Sequence, residues 1–307
     1  GSCMQRFRKL NSIDLSRGID YSDEGYLTVL NATPKLLTKL NMSNTKILSS
    51  LAVTALRTKM PNLIYLDLSE MKLSQTCFEW ITEGCNRLET LILTKCSNLD
   101  DIALARFGTK LQYLKKIILN SCGKITDIGL CEFFNQLKAS LDLQLGDGLR
   151  YIDISSNIHL GGPPIIALAE YEAKAQSLNP GKGITDLKLN GLSMVTSPAL
   201  LAMWKACTSI RNFSMAVEMS STVTHRKSMM PHISDQILIE AQYFSLVDVS
   251  LSGCCLITDI GVCCLIEKCQ EQLHSLDVSY CNGITDMTCY TLAQYVGKTL
   301  KNLNIGG

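Results

Sequence analysis

The chain has 307 residues, 46% of them hydrophobic and 19% charged, with a formal net charge of +1. So apolar a composition excludes a disordered polymer, and near neutrality removes the bulk electrostatic case for binding nucleic acid or an anionic membrane. No run approaches the roughly 18 apolar residues of a membrane helix, and the N-terminus lacks a signal-peptide core. Gly1 and Ser2 read as a tag remnant.

In chain order, the pattern Leu-x-x-Leu-x-Leu, with Ile, Val, Met or Phe allowed, has anchors at Leu10, Leu37, Leu63, Leu88, Leu114, Leu149, Ile184, Ile210, Leu246, Leu273 and Leu300. Successive gaps are 27, 26, 25, 26, 35, 35, 26, 36, 27 and 27 residues. The segment LVDVSLSGCCLITD at 246–259 returns as LHSLDVSYCNGITD at 273–286. Self-similarity at such a period marks stacked units of one strand and one helix, none able to bury its apolar face alone. The expected fold is therefore an α/β leucine-rich-repeat solenoid, a horseshoe of about ten strand–helix repeats. Parallel strands line its concave side and helices coat its convex side. Nothing resembling a linker breaks the register, so residues 1–307 read as one domain.

Each predicted strand is followed by a turn and a helix. Ile125-Thr126-Asp127, Ile233-Ser234-Asp235, Ile257-Thr258-Asp259 and Ile284-Thr285-Asp286 open helices, because Ser or Thr caps free N–H groups and Asp suits the positive helix end. Pro163-Pro164 and Pro198 hold comparable places. Three long gaps are read as insertions: two after helices, near 139–148 and 172–183, and one between strand and helix at 217–232. The last projects at the strand-exit rim and carries Thr224, His225, Arg226 and Lys227, candidates for a partner-ordered segment.

The fourteen cysteines follow the register. Cys96, Cys122, Cys254 and Cys281 fall eight residues after their anchors, with Asn157 in the equivalent place, while Cys85, Cys207 and Cys269 close helices. They read as reduced structural thiols of a cytoplasmic or nuclear protein. A zinc site is the sharper alternative, prompted by Cys254-Cys255 and Cys263-Cys264, but neither pair has Cys-x-x-Cys spacing. His159, His225, His232 and His274 are scattered. No Walker loop, Gly-x-Gly-x-x-Gly or Gly-x-Ser-x-Gly elbow is present, so neither catalytic residues nor a cofactor or metal are expected.

The order Cys, Ile-Thr-Asp, helix, Cys, Leu-x-x-Leu-x-Leu resembles the cysteine-containing class of leucine-rich repeats, best at 246–307 and 88–130. That class is common in F-box/LRR proteins, the substrate receptors of cullin–RING ubiquitin ligases. It also occurs in non-catalytic scaffolds, among them an axonemal dynein-regulatory component and a nucleotide-excision-repair ligase subunit. The resemblance implies a protein-binding module, with a cullin adaptor as partner if an F-box lies outside this chain. The first repeat begins by Leu10 and the last pattern stops at Ile305, so the expectation is a fragment or a protein without an F-box.

Strand alternation puts the residues two, four and six places after each anchor on the concave surface. Most are polar: Asn41, Asp67, Asp153, Lys188, Ser214, Ser250 and Asp277. Ile92 and Ile118 are not, and Lys39, Tyr65, Lys116 and Tyr151 surround them. Apolar anchors rimmed by aromatic and charged groups suit an interface centre. The expected partner is thus another protein, seated on this face or on the strand-exit rim.

Overall fold

The computed structural model describes residues 9–18, 22–32, 36–45, 60–143, 146–217, 233–241 and 245–306. The chain forms two compact units, Gly1–Leu149 and Arg150–Gly307. In the first, β1 (Ser12–Asp14), α1 (Asp23–Ala32), β2 (Lys39–Asn41), β3 (Tyr65–Asp67), α2 (Gln75–Gly84), β4 (Thr90–Ile92), α3 (Asp101–Lys110), β5 (Lys116–Ile118) and α4 (Asp127–Ser140) follow one another. The second runs β6 (Tyr151–Asp153), α5 (Pro163–Leu178), β7 (Asp186–Lys188), α6 (Ser197–Ala206), β8 (Asn212–Ser214), α7 (Asp235–Glu240), β9 (Asp248–Ser250), α8 (Asp259–Cys269), β10 (Ser275–Asp277), α9 (Asp286–Tyr295) and β11 (Asn302–Asn304). Every anchor precedes a strand by two residues, so the described residues hold eleven strands where about ten repeats were expected.

Within each unit the strands pair in parallel and in chain order, residue for residue along the repeat register. Each strand from β1 to β10 gives its middle residue to the core, whereas Leu303 in the terminal β11 is 46% exposed. Leu40, Leu66, Leu91 and Ile117 form that row in the first unit, and Ile152, Leu187, Phe213, Val249 and Leu276 in the second; all are buried. Burying one such side chain stabilises the fold by roughly 1.5–3 kcal/mol, and stacking supplies the wall no single repeat has. Aromatic rings fill the wider gaps beneath the helices, with Phe78 and Phe107 edge to face at 6.2 Å and Trp204 tilted against Phe213 at 4.6 Å.

Past the strand the backbone turns through a left-handed residue seven places after the anchor: Arg17, Asn44, Glu70, Lys95, Ser121, Ser156, Gly191, Gly253 and Tyr280 all have φ between 53° and 74°. Their N–H groups extend the ladder, Glu70 donating to the Thr94 carbonyl at 2.7 Å and Lys95 to that of Asn120 at 2.8 Å. The next residue is thereby turned inward. Cys96 donates its thiol to the Leu68 carbonyl at 3.3 Å and Cys122 to Leu93 at 3.0 Å; in the second unit Cys254 reaches Met215 at 3.3 Å and Cys281 reaches Leu251 at 3.2 Å. Each thiol satisfies a carbonyl of the preceding repeat. Asn157 differs, for its amide donates within its own repeat to Ile154 at 2.8 Å and Ser155 at 3.3 Å.

The helices begin where the Thr-Asp pairs stand. Thr126, Thr258 and Thr285 accept from the N–H two residues on, whereas Ser234 makes no side-chain cap. The aspartate that follows does more than meet the helix dipole. Asp101, Asp235 and Asp259 reach into the next repeat and accept both the N–H and the hydroxyl of Thr126, Thr258 and Thr285, at 2.6 to 2.9 Å. Ile260 on α8 is 68% exposed. As the second residue of its helix it stands at the strand-exit rim, as do Ile102, Ile128 and Met287.

The two insertions after helices mainly lengthen them. α5 runs sixteen residues against ten for α6, taking in Glu172–Leu178 before the turn at 179–183. α4 runs fourteen residues and passes into a 3-10 turn at Leu141–Leu143. The third insertion lies outside the described residues from position 218 to 232, and with it Thr224, His225, Arg226 and Lys227.

Candidate protein-interaction face

The two residues flanking each buried strand centre stand on the side of the sheet that no helix covers. In the first unit the earlier row reads Lys39, Tyr65, Thr90, Lys116, each paired with the next; the later row reads Asn41, Asp67, Ile92, Ile118. Ile92 and Ile118 are direct neighbours across β4 and β5, both half-buried. Tyr65 is half-buried one strand away, Lys39 is exposed beyond it, and Lys116 follows Thr90. Thr90 joins this surface although the sequence reading passed over it; its place two residues after Leu88 was the available signal.

Burial raises the Tyr65 phenol above its ordinary value, with the charges of Asp67 and Asp14 adding to the effect. The phenol therefore stays protonated at neutral pH and can donate a hydrogen bond. Asp67 spends one oxygen locally, accepting from the Ser69 N–H at 3.0 Å and its hydroxyl at 2.6 Å. Asp14 and Asn41 fasten the same bend in their own repeats. The polar members of this row thus shape the strand exit, while the two isoleucines have no such local duty.

Tyr151 belongs to the second unit, where it opens β6. Its ring lies 5.7 Å from Lys188 Nζ. Burial works against the Lys188 charge, but Tyr151, Asp153 and Asp186 outweigh it and hold the ammonium above its ordinary pKa. Around this pair the uncovered face forms a cleft of about 460 Å³, its polar wall including Asp186, Asn212, Asp248 and Asp277. Asn212 donates to Asp186 at 2.6 Å, and Asp277 accepts from Ser279 as Asp67 does from Ser69.

Among the described residues no three His, Cys, Asp or Glu side chains are placed to hold a metal ion. Burial pushes the Cys122 and Cys281 thiols up to about 11, and those of Cys85, Cys96 and Cys269 to about 12. At neutral pH these are packed thiols, not nucleophiles. No described helix is long and apolar enough to cross a membrane.

A parallel sheet of three-residue strands alternating with helices, in the register of Leu-x-x-Leu-x-Leu, defines the leucine-rich-repeat solenoid fold. Solved structures agree. A chain in the crystal structure of the Rad7 and Elc1 complex in yeast is 16% identical with a TM-score of 0.59, over 91% of this chain and 71% of that one. The leucine-rich repeat-containing protein LegL7 from Legionella pneumophila is 14% identical with a TM-score of 0.51, over 94% of this chain and 91% of its own. No family model matches the sequence, and no curated protein matches it.

Proposed function

We propose that the chain is a non-catalytic protein-binding module, a single leucine-rich-repeat domain of the cysteine-containing class that seats its partner on the uncovered sheet face. The observation that carries this reading is the Ile92–Ile118 pair, apolar and solvent-facing on adjacent strands, with Tyr65 and the Lys39 and Lys116 stems around it. One half-buried isoleucine on this face needs no explanation, but two in register offer an apolar centre with a polar rim. Tyr151 and Lys188 offer a second aromatic–cationic contact in the second unit.

Within that class the reading is substrate recognition by an F-box/LRR-like ubiquitin-ligase receptor in a reducing compartment, cytoplasm or nucleus. The repeat resemblance supports it, and one structural relative is itself found in a complex of two proteins, Rad7 and Elc1. The test is affinity capture of the tagged full-length protein from its source cells, with Ile118→Asp and Tyr151→Ala variants alongside. A ligase receptor brings down a cullin adaptor with every variant, and brings down a further protein with wild type that Ile118→Asp loses by tenfold or more. Capture of cytoskeletal or other assembly partners without an adaptor would make the chain a scaffold. A folded Ile118→Asp protein that keeps every partner overturns the face itself.

A further inference from the structure

Glu172 lies on α5 with none of its surface exposed, among the buried side chains of Leu168, Ala169, Tyr171 and Ala175. Its Oε1 accepts from the Ile184 N–H at 3.0 Å and from the Gln176 amide at 2.9 Å. Gln176 carries the connection further, donating to the Ser209 hydroxyl at 2.8 Å and accepting from the Gly181 N–H at 3.0 Å. One carboxyl group therefore ties together the end of α5, the 179–183 turn, the chain leading into β7, and the start of the following repeat. The turn closes on it: a Cβ on Gly183 would fall 1.8 Å from Oε1 and 2.0 Å from Gln176 Nε2, so a side chain there would displace both groups.

Its other oxygen, Oε2, is sealed from solvent and meets no donor among the described residues. Arg150, whose Nη1 donates to the Gly183 carbonyl at 2.9 Å, acts on the carboxyl through its charge. The other titratable neighbour is Cys207, a fully buried thiol whose own ionisation burial and Glu172 both oppose. A carboxylate there loses its hydration with half of its acceptor capacity unmet, whereas the neutral acid keeps both Oε1 bonds at much lower cost.

We propose that Glu172 is a proton-operated latch: its neutral acid pins the 179–183 turn to the start of β7, and its ionisation loosens that turn. Burial holds the carboxyl above its ordinary range, against the lowering influence of Gln176, the Ile184 N–H and Arg150. With the folded pKa raised, the stabilisation is complete below the unfolded pKa and is lost as pH rises through the folded one. The strand so controlled carries Asp186 and Lys188, which line the cleft of the second unit. The latch couples pH to that face.

The experiment is urea unfolding and amide hydrogen exchange of the full chain, from about pH 4.5 to about pH 8, on wild type and Glu172→Gln. In wild type the folding equilibrium constant falls as pH rises, by up to about tenfold per pH unit within the window, and Ile184 protection falls with it. Glu172→Gln keeps an acceptor for Ile184 and flattens both profiles. Parallel profiles in the two proteins overturn the proposal. Should the variant not fold, wild type alone decides: Ile184 protection, corrected for intrinsic exchange, that is flat across the range overturns it as well.

Discussion

At the scale of single residues, the cysteines show how one side chain can serve by being small and weakly polar. Cys122 fits beneath the turn, gives its thiol proton to the Leu93 carbonyl and exposes nothing. Cys122→Ala should cost about 1–2 kcal/mol in chemical denaturation, since a packed sulfur and a buried hydrogen bond go together. Alkylation at neutral pH followed by peptide mass spectrometry should label exposed Cys289 in the folded protein and leave Cys85, Cys96 and Cys122 untouched until the fold is lost. Tyr280 poses the opposite case, a bulky side chain at φ 57°. The left-handed conformation costs about 1–2 kcal/mol and glycine's extra unfolded-state entropy about 0.5–1, so Tyr280→Gly should stabilise by about 0–1.5 kcal/mol. The place of the thiols was legible in the sequence because eight residues separate each from its anchor. The left-handed column was not, because arginine, glutamate, lysine, serine and tyrosine share no chemistry that would mark a backbone angle.

Among the elements, the helix starts join one repeat to the next. Asp259 accepts four hydrogen bonds from the following repeat: the N–H and hydroxyl of Thr285 at 2.9 and 2.6 Å, and those of Thr288 at 3.2 and 2.5 Å. Burial opposes its charge, but these bonds win and lower its pKa. Its contribution is therefore present above the unfolded pKa and fades as pH falls through the lowered folded value, the reverse of Glu172. Asp259→Ala should cost about 2–3 kcal/mol at neutral pH, read from urea midpoints, and the deficit should shrink towards acid pH. Sequence reasoning found the Ile-Thr-Asp motif and assigned its aspartate to the helix's own dipole. The longer reach was hidden because the partner lies 26 residues away. Glu172 escaped for a related reason: a glutamate in a helical insertion reads as solvated until the lengthened helix is seen to pack.

For the molecule as a whole, each strand pairs only with those of sequence-adjacent repeats, so energetic disturbance should travel by neighbours. In hydrogen exchange, Asp259→Ala should lower protection most in the repeats anchored at Leu246 and Leu273 and least in the one anchored at Leu149. Uniform loss through residues 150–306 would mean that the second unit responds as one cooperative block. The repeat register carried the strands, the buried row and the Ile92–Ile118 pair from sequence. It could not carry the division into two compact units, because the gaps on either side of Leu149 are equal and no linker-like composition marks Leu149 and Arg150.

The left-handed residue found in nine of the repeats has a use that its backbone role does not exhaust. Its main chain is fixed by the ladder, and at Arg17, Asn44, Glu70, Lys95 and Tyr280 its side chain is exposed, so there the fold asks for an angle and leaves the chemistry open; at Gly253 a Cβ would fall 2.9 Å from that of Val217. Along β3 and β4 that freedom holds an acid beside a base, Glu70 and Lys95 at 2.8 Å; along β9 and β10 a glycine stands beside a tyrosine. A position that repeats at strand spacing, is set by geometry and is exposed in most repeats behaves like a line of movable type. Its letters can be reset, in evolution or by design, to alter what the strand-exit edge displays while the page beneath stays intact.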